Sequence, residues 1–319
     1  MTEQGEKEVR LPENDNNEAP AETVTTPPSQ TTSMVVEPLQ DLHTPHKRRR
    51  LILVIGVIGA TMDLCCLPIT YFYAFKFGTS LSLQDIFAII TGVYGMLSFT
   101  HYAFRSLKLF RSKTSPKWRP VGWTKWGMLE FLQINVLIVI SLVEIELVAG
   151  TAPSNPIVRL CAMPSPTICF YLGFLFCSTA ILTQLGWKLP FNMSSTPKGT
   201  PWRPALFGFI EDAGAIEGQG GVEYRQQLIK RYEMSPRFRR MVLLLSWGWG
   251  IGLLVVATIA TVLIMVVETD IGFGVGWGLP YIFGAVYVFI TVKFVRYQLA
   301  KERAEWGTKE PAPTGATLV

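Results

Sequence analysis

The sequence predicts an all-α integral membrane protein: six transmembrane helices, both termini cytosolic and a disordered N-terminal tail. Three observations predict it. Of 319 residues 49% are apolar and only 17% charged, which excludes a soluble globular enzyme, a collagen-like fibre and a coiled coil. Six windows carry the roughly 20 apolar residues needed to cross a hydrocarbon core about 30 Å thick. Basic residues collect in alternate connections, as cytosolic loops require. Five cysteines in so long a chain also exclude a disulfide scaffold.

Residues 1–46 hold nine acidic side chains against Lys7 and Arg10, with runs such as Asn14-Asp15-Asn16-Asn17-Glu18 and Thr25-Thr26-Pro27-Pro28. Too few large apolar residues are present to offset the entropy of ordering them, so a disordered acidic cytosolic tail is expected. No short apolar stretch behind a basic start opens the chain, and the first span is expected to act as the insertion signal. The membrane domain covers 47–300, with spans at about 51–75, 84–105, 127–149, 167–187, 241–267 and 272–295. The fourth is begun at Thr167 because Pro164 and Pro166 remove helix donors. Glu268-Thr269-Asp270-Ile271 alone separates the last two, which form a tight helical hairpin. Residues 188–240 make a cytosolic loop, and 301–319 a cytosolic C-terminal tail.

Of 29 Lys and Arg residues, 27 fall in the tails, between Arg105 and Lys125, or between Lys188 and Arg240; only Lys76 and Arg159 lie on the other side. Trp126, Trp187, Trp247 and Trp249 mark cytosolic span ends, as interfacial aromatics do. The one glycosylation sequon, at Asn192, is thereby placed in the cytosol and is expected to stay unmodified. Lys47-Arg48-Arg49-Arg50 and the group Arg111, Lys113, Lys117, Arg119 lie against the inner leaflet, where anionic lipid head groups are expected partners alongside the bilayer and cytosolic proteins. Thr44, before Pro45 and beside that first cluster, is a phosphorylation candidate, because phosphate would weaken membrane contact. No nucleic acid partner is expected.

An ionisable group at membrane depth is costly and needs a partner or a purpose. Asp63 lies near the middle of the first span. On the third, Glu130, Gln133, Ser141 and Glu144 share a face about 80° wide at about 100° per residue. They are candidates for a polar pathway, or else for reaching the two interfaces. In the cytosolic loop, Glu211, Asp212 and Glu217 are cation candidates without enough further ligands for calcium or magnesium. Arg225 belongs with Leu228, Ile229 and Tyr232 to an amphipathic stripe, and the loop is expected to lie on the membrane surface with Ala205–Ile210 dipping into it. The glycines Gly218, Gly220 and Gly221 match no phosphate-binding fingerprint, and no Cys/His spacing suits zinc. No catalytic set, cofactor or metal is expected. Small residues four apart, as at Gly248/Gly252, Gly272/Gly276 and Gly274/Gly278, predict close packing of the last two spans on another helix.

The loop sequences Ser195-Thr196-Pro197-Lys198-Gly199, Arg203-Pro204-Ala205-Leu206, Ile210-Glu211-Asp212, Gly218-Gln219-Gly220-Gly221, Tyr224-Arg225 and Ser235-Pro236-Arg237-Phe238-Arg239-Arg240 resemble a family of uncharacterised multi-spanning membrane proteins of filamentous fungi. The resemblance covers the loop and its flanking spans. It implies a fungal source, a multi-pass fold and an unassigned activity, and it transfers no catalytic residue. Three function classes follow from the residues themselves. The first is a non-enzymatic scaffold or accessory component. The alternatives are a small transporter or channel using Asp63 and the third-span stripe, and an intramembrane enzyme acting on a lipid or isoprenoid with Asp63 or Glu130 as general acid.

Overall fold

The computed structural model describes residues 66–110, 115–123 and 129–307. They form residues 66–78 (α1), Leu83–Phe110 (α2), Ser115–Trp118 (α3), Phe131–Thr151 (α4), Val158–Cys161 (α5), Pro164–Gln184 (α6), Ala205–Ile216 (α7), Gly221–Met234 (α8), Pro236–Val266 (α9) and Thr269–Gly307 (α10). Among the described residues no strand forms; isolated bridges between Lys188 and Pro201 and between Met193 and Thr196 fold 188–201 into a short hairpin. Five helices, α2, α4, α6, α9 and α10, are long and apolar enough to cross a membrane. Residues 51–65 of the first predicted span, Asp63 among them, lie outside the described residues, as does Thr44.

Helix starts follow local chemistry. Ser82 Oγ accepts from the Asp85 amide at 3.2 Å and donates to Asp85 Oδ2 at 2.6 Å, closing the first turn of α2. Ser235 Oγ accepts from the Phe238 amide at 3.1 Å, and Pro236 takes the first position of α9. α6 begins at Pro164, earlier than Thr167, because amides of a first turn have no helical acceptor and a proline there loses nothing. α9 starts before residue 241 and α10 runs past residue 295 to Gly307. Hydropathy marks where apolar surface ends, whereas here paired side chains carry the helices further. Arg231 on α8 bonds Glu302 at 2.5 Å, and Arg237 Nε bonds Glu305 at 2.7 Å. The expected C-terminal tail therefore begins as helix.

Alternating helix directions gather the short connections, 79–82, 152–157 and 267–268, at one end of the bundle. Aromatic packing fills that end: Phe72 stacks on Phe273 at 4.2 Å, Tyr94 meets Trp277 edge-on at 5.6 Å, and Trp277 Nε1 donates to the Cys161 carbonyl at 3.0 Å. Arg159 donates to the Ile264 and Val267 carbonyls at 3.1 and 3.2 Å, capping the C-terminus of α9. Lys76 pairs with Asp270.

α6·α9 and α9·α10 are the most extensive helix pairs. Gly252 faces Phe283, whose ring would come within 2.7 Å of a Cβ there, as the small-residue spacing predicts. Gly276, of another predicted pair, comes close to backbone, a Cβ there standing 2.2 Å from the Ala162 carbonyl oxygen, and α6 and α9 also approach closely where a Cβ on Gly173 would stand 3.0 Å from the Gly250 carbonyl oxygen.

The long connection 185–235, expected as a surface segment with Ala205–Ile210 dipping into the membrane, is packed on the helix bundle, with Ala205 and Phe207 buried against protein. α7 and α8 pack on the ends of α6 and α9, and Phe207, Tyr224, Leu228 and Tyr232 share one core with Phe238, Met241, Val242 and Leu245. A segment too small for a core of its own obtains one by extending that of its neighbour. Arg203 contributes by lying over both Phe207 and Tyr232 at 5.1 Å. We call this end the capped end.

Candidate functional site

At the capped end the side chain of Arg225, on α8, is wholly withdrawn from solvent. A guanidinium can be buried only where carboxylates and acceptors surround it. Arg225 Nη1 donates to Glu211 Oε1 at 2.8 Å and to Asp212 Oδ1 at 2.6 Å, both on α7. Its Nη2 donates to Glu130 Oε1 and to the Trp118 carbonyl at 3.2 Å. The other oxygen of Glu130 accepts from Arg105 Nη2 of α2 at 2.9 Å, and Arg105 Nη1 pairs with Glu217. Two guanidiniums thus hold four carboxylates, and the cluster ties α2, α4, α7 and α8 together.

The same carboxylates begin α4. Glu130 is extended and immediately precedes the helix, rather than lying inside a span from 127 to 149. The free amides of the first turn are answered from the loop: Leu132 N donates to Asp212 Oδ2 at 2.9 Å, and Phe131 N to Ser194 Oγ at 3.1 Å. Ser194 in turn donates to Asp212 Oδ2 at 2.6 Å. Ser195 N donates to Glu211 Oε1 at 3.1 Å, and Ser195 Oγ accepts from Val121 N at 2.8 Å. Trp123 Nε1 closes the hairpin by donating to the Ser194 carbonyl at 2.9 Å. Ser194 adopts φ +47°, a left-handed backbone that aims its hydroxyl between the two helices.

Burial and the neighbouring Asp212 charge push the Glu130 carboxyl up from 4.5 to about 8, although Arg225 and Arg105 pull the other way. Glu211 is raised for the same two reasons, burial first. Burial alone would ease a proton off Arg225, but Asp212, Glu130 and Glu211 overcome it and its pKa is raised. The cluster accordingly binds a proton near neutrality that the unfolded chain releases. A carboxyl whose folded pKa exceeds its unfolded value stabilises at low pH and loses that contribution as pH rises between about 4.5 and about 8. The thermal midpoint of the purified protein should fall across that interval, and Glu130→Gln should flatten the slope; an unchanged slope contradicts the assignment.

Glu211 and Asp212, cation candidates in the sequence, receive the Arg225 guanidinium in place of a metal, and Glu217 is drawn instead to Arg105. Among the described residues no group of three or more His, Cys, Asp or Glu is arranged to hold a metal ion. The third-span stripe is divided. Glu130 joins the cluster, Gln133 donates to Ser106 Oγ beside it, and Ser141 is exposed and bonds its own helix at Leu137 O, 2.9 Å. Glu144 lies farther along, against Gly95 of α2. Asn192 is exposed and accepts from Lys198 N at 2.8 Å. Arg105, Ser194 and Ser195 carry the site, yet none of them is a site candidate from the sequence. Arg105 reads there as one more cytosolic basic residue, and only the cost of burying Glu130 signals that it needs a cationic partner.

A family model described as a domain of unknown function, DUF8766, matches residues 28–306. The chain belongs to the DUF8766 family. The matched region of this DUF8766 protein takes in every helix from α1 to α9 and the whole charge cluster. No curated protein and no solved structure matches the chain.

Proposed function

We propose that this DUF8766 protein is a non-enzymatic membrane component whose cap offers a preformed surface to cytosolic partners. The observation that carries this reading is how the carboxylates of the cluster are held. Both oxygens of Glu130 are engaged by arginines, and Glu211 and Asp212 are clamped by Arg225. A general acid or base needs an oxygen open to substrate. The raised pKa of Glu130 by itself suggests chemistry; the engagement of both its oxygens by arginines supports a structural role instead. What the cluster supplies is a rigid cap, with Glu223 and Gln226 of α8 facing outward.

The topology we infer has six spans and a cytosolic cap, with both termini, including the tail 1–46, on the same side. Supporting it, Arg159 and Lys76, the only basic residues of the opposite side, are both engaged with backbone carbonyls or Asp270. Asn192 is then never glycosylated, and a reporter at Val319 reads cytosolic; a glycan at exposed Asn192 in cells contradicts the orientation. The loop residues that resemble filamentous-fungal proteins support a fungal source.

The functional test is rescue of a deletion strain. Asp63→Asn and Glu130→Gln should restore the phenotype, whereas Glu223→Lys combined with Gln226→Lys should not, at equal protein abundance. Loss of rescue by either carboxylate variant at full abundance would instead favour the transport or enzyme classes.

A further inference from the structure

A second feature lies just inside the capped end. α2, α4, α6, α7 and α10 border a cavity of about 490 Å³, within the range that holds small ligands. Its walls are apolar: Val136, Val139 and Ile140 of α4 face Ile168 and Leu172 of α6. Tyr94 and Tyr281 also line it, and at the capped end Arg105, His101 and Glu217 supply polar groups. An apolar body with a polar group at one end has the complementary distribution.

Hydrogen bonding narrows the head group. Asn135 is satisfied on both sides, donating to Phe131 O at 2.6 Å and accepting from Tyr171 at 2.6 Å. Arg105 uses both Nη atoms within the cluster, while its Nε–H is buried with no acceptor among the described residues. A buried donor left so is costly, and an oxygen from a ligand would satisfy it. Charge narrows it again. Arg105 already meets the carboxyl groups of Glu130 and Glu217, so its charge calls for no added anion. A neutral hydroxyl or carbonyl oxygen is enough for the Nε–H.

We propose that this cavity binds one neutral lipid taken from the bilayer, its apolar body between α4 and α6 and its hydroxyl or carbonyl oxygen toward Arg105. A sterol and a diacylglycerol share this chemistry. Partner binding at the cap and lipid binding in the cavity are separate properties, since Glu223 and Gln226 do not line the cavity.

The full chain, reconstituted in phosphatidylcholine vesicles, is exposed to photoreactive sterol, photoreactive diacylglycerol and photoreactive phosphatidic acid in separate arms, and labelled peptides are mapped. One neutral probe should label α4 or α6 at cavity residues, and the arm that does so identifies the source. Val139→Trp, which fills the space, should lower that labelling about tenfold, and Leu172→Phe, filling it from the opposite wall, should lower it in the same direction if the first variant folds poorly. Phosphatidic acid should label the cavity weakly. The proposal is overturned if labelling of cavity residues is absent, if folded filled variants label as the parent does, or if the anionic probe labels equally. It is also overturned if residues 51–65 of the chain cross-link into the cavity in place of lipid.

Discussion

Arg225→Met lowers the unfolding free energy by about 3–5 kcal/mol, the cost of removing one partner from a buried ion pair. The methionine fills much of the same volume, so the loss is electrostatic. Glu130, Glu211 and Asp212 remain buried, and only Arg105, which bonds Glu130, is left to offset their charge. Glu130→Gln should cost far less, because that carboxyl already favours its protonated form near neutrality. The asymmetry separates an overfilled acidic cluster from an ordinary set of salt bridges. Unfolding of the purified protein, followed against denaturant in micelles, measures it. Equal losses for the two variants would contradict the cluster's charge balance.

Gly250→Leu removes about 3 kcal/mol or more, at the upper end of overpacking costs. A Cβ at that position would stand 2.5 Å from Cys177 Sγ and 3.1 Å from the Cys177 amide, between the backbones of α6 and α9. Neither backbone can yield without parting the most extensive helix pair. Gly284→Leu on α10 is the control, since no atom of the described residues outside its own helix lies within 4 Å of its Cβ position. Thermal midpoints of the two variants should differ widely. Similar midpoints would mean that α6 and α9 are not in close contact.

The long helices were legible because hydrocarbon-length apolar runs have few alternatives. Their ends were less so. Pro164 and Pro166 look like helix breakers until the first turn's unpaired amides are considered, and α10 continues past the apolar run only because Arg231 and Arg237 pair with Glu302 and Glu305. The site was legible residue by residue. Glu130, Glu211, Asp212, Glu217 and Arg225 all stand out as charges needing a reason. Their convergence was not, since Glu130 and Arg225 belong to distant segments and nothing periodic links them. Arg225 was assigned to an amphipathic surface stripe because three- and four-residue spacing shows which face is distinct, not whether that face meets lipid, water or protein. The packing of α8 on α7 and α9 settles that, burying Arg225 with Leu228 and Tyr232.

The convergence of α7 and α8 on one buried charge cluster is tested most directly by a double-mutant cycle between Arg225→Met and Asp212→Asn, read as unfolding free energy in micelles. Direct contact between the two side chains gives a coupling energy above about 1 kcal/mol. Costs that add to within about 0.3–0.5 kcal/mol, as for distant sites, would contradict it and dissolve the cap as described.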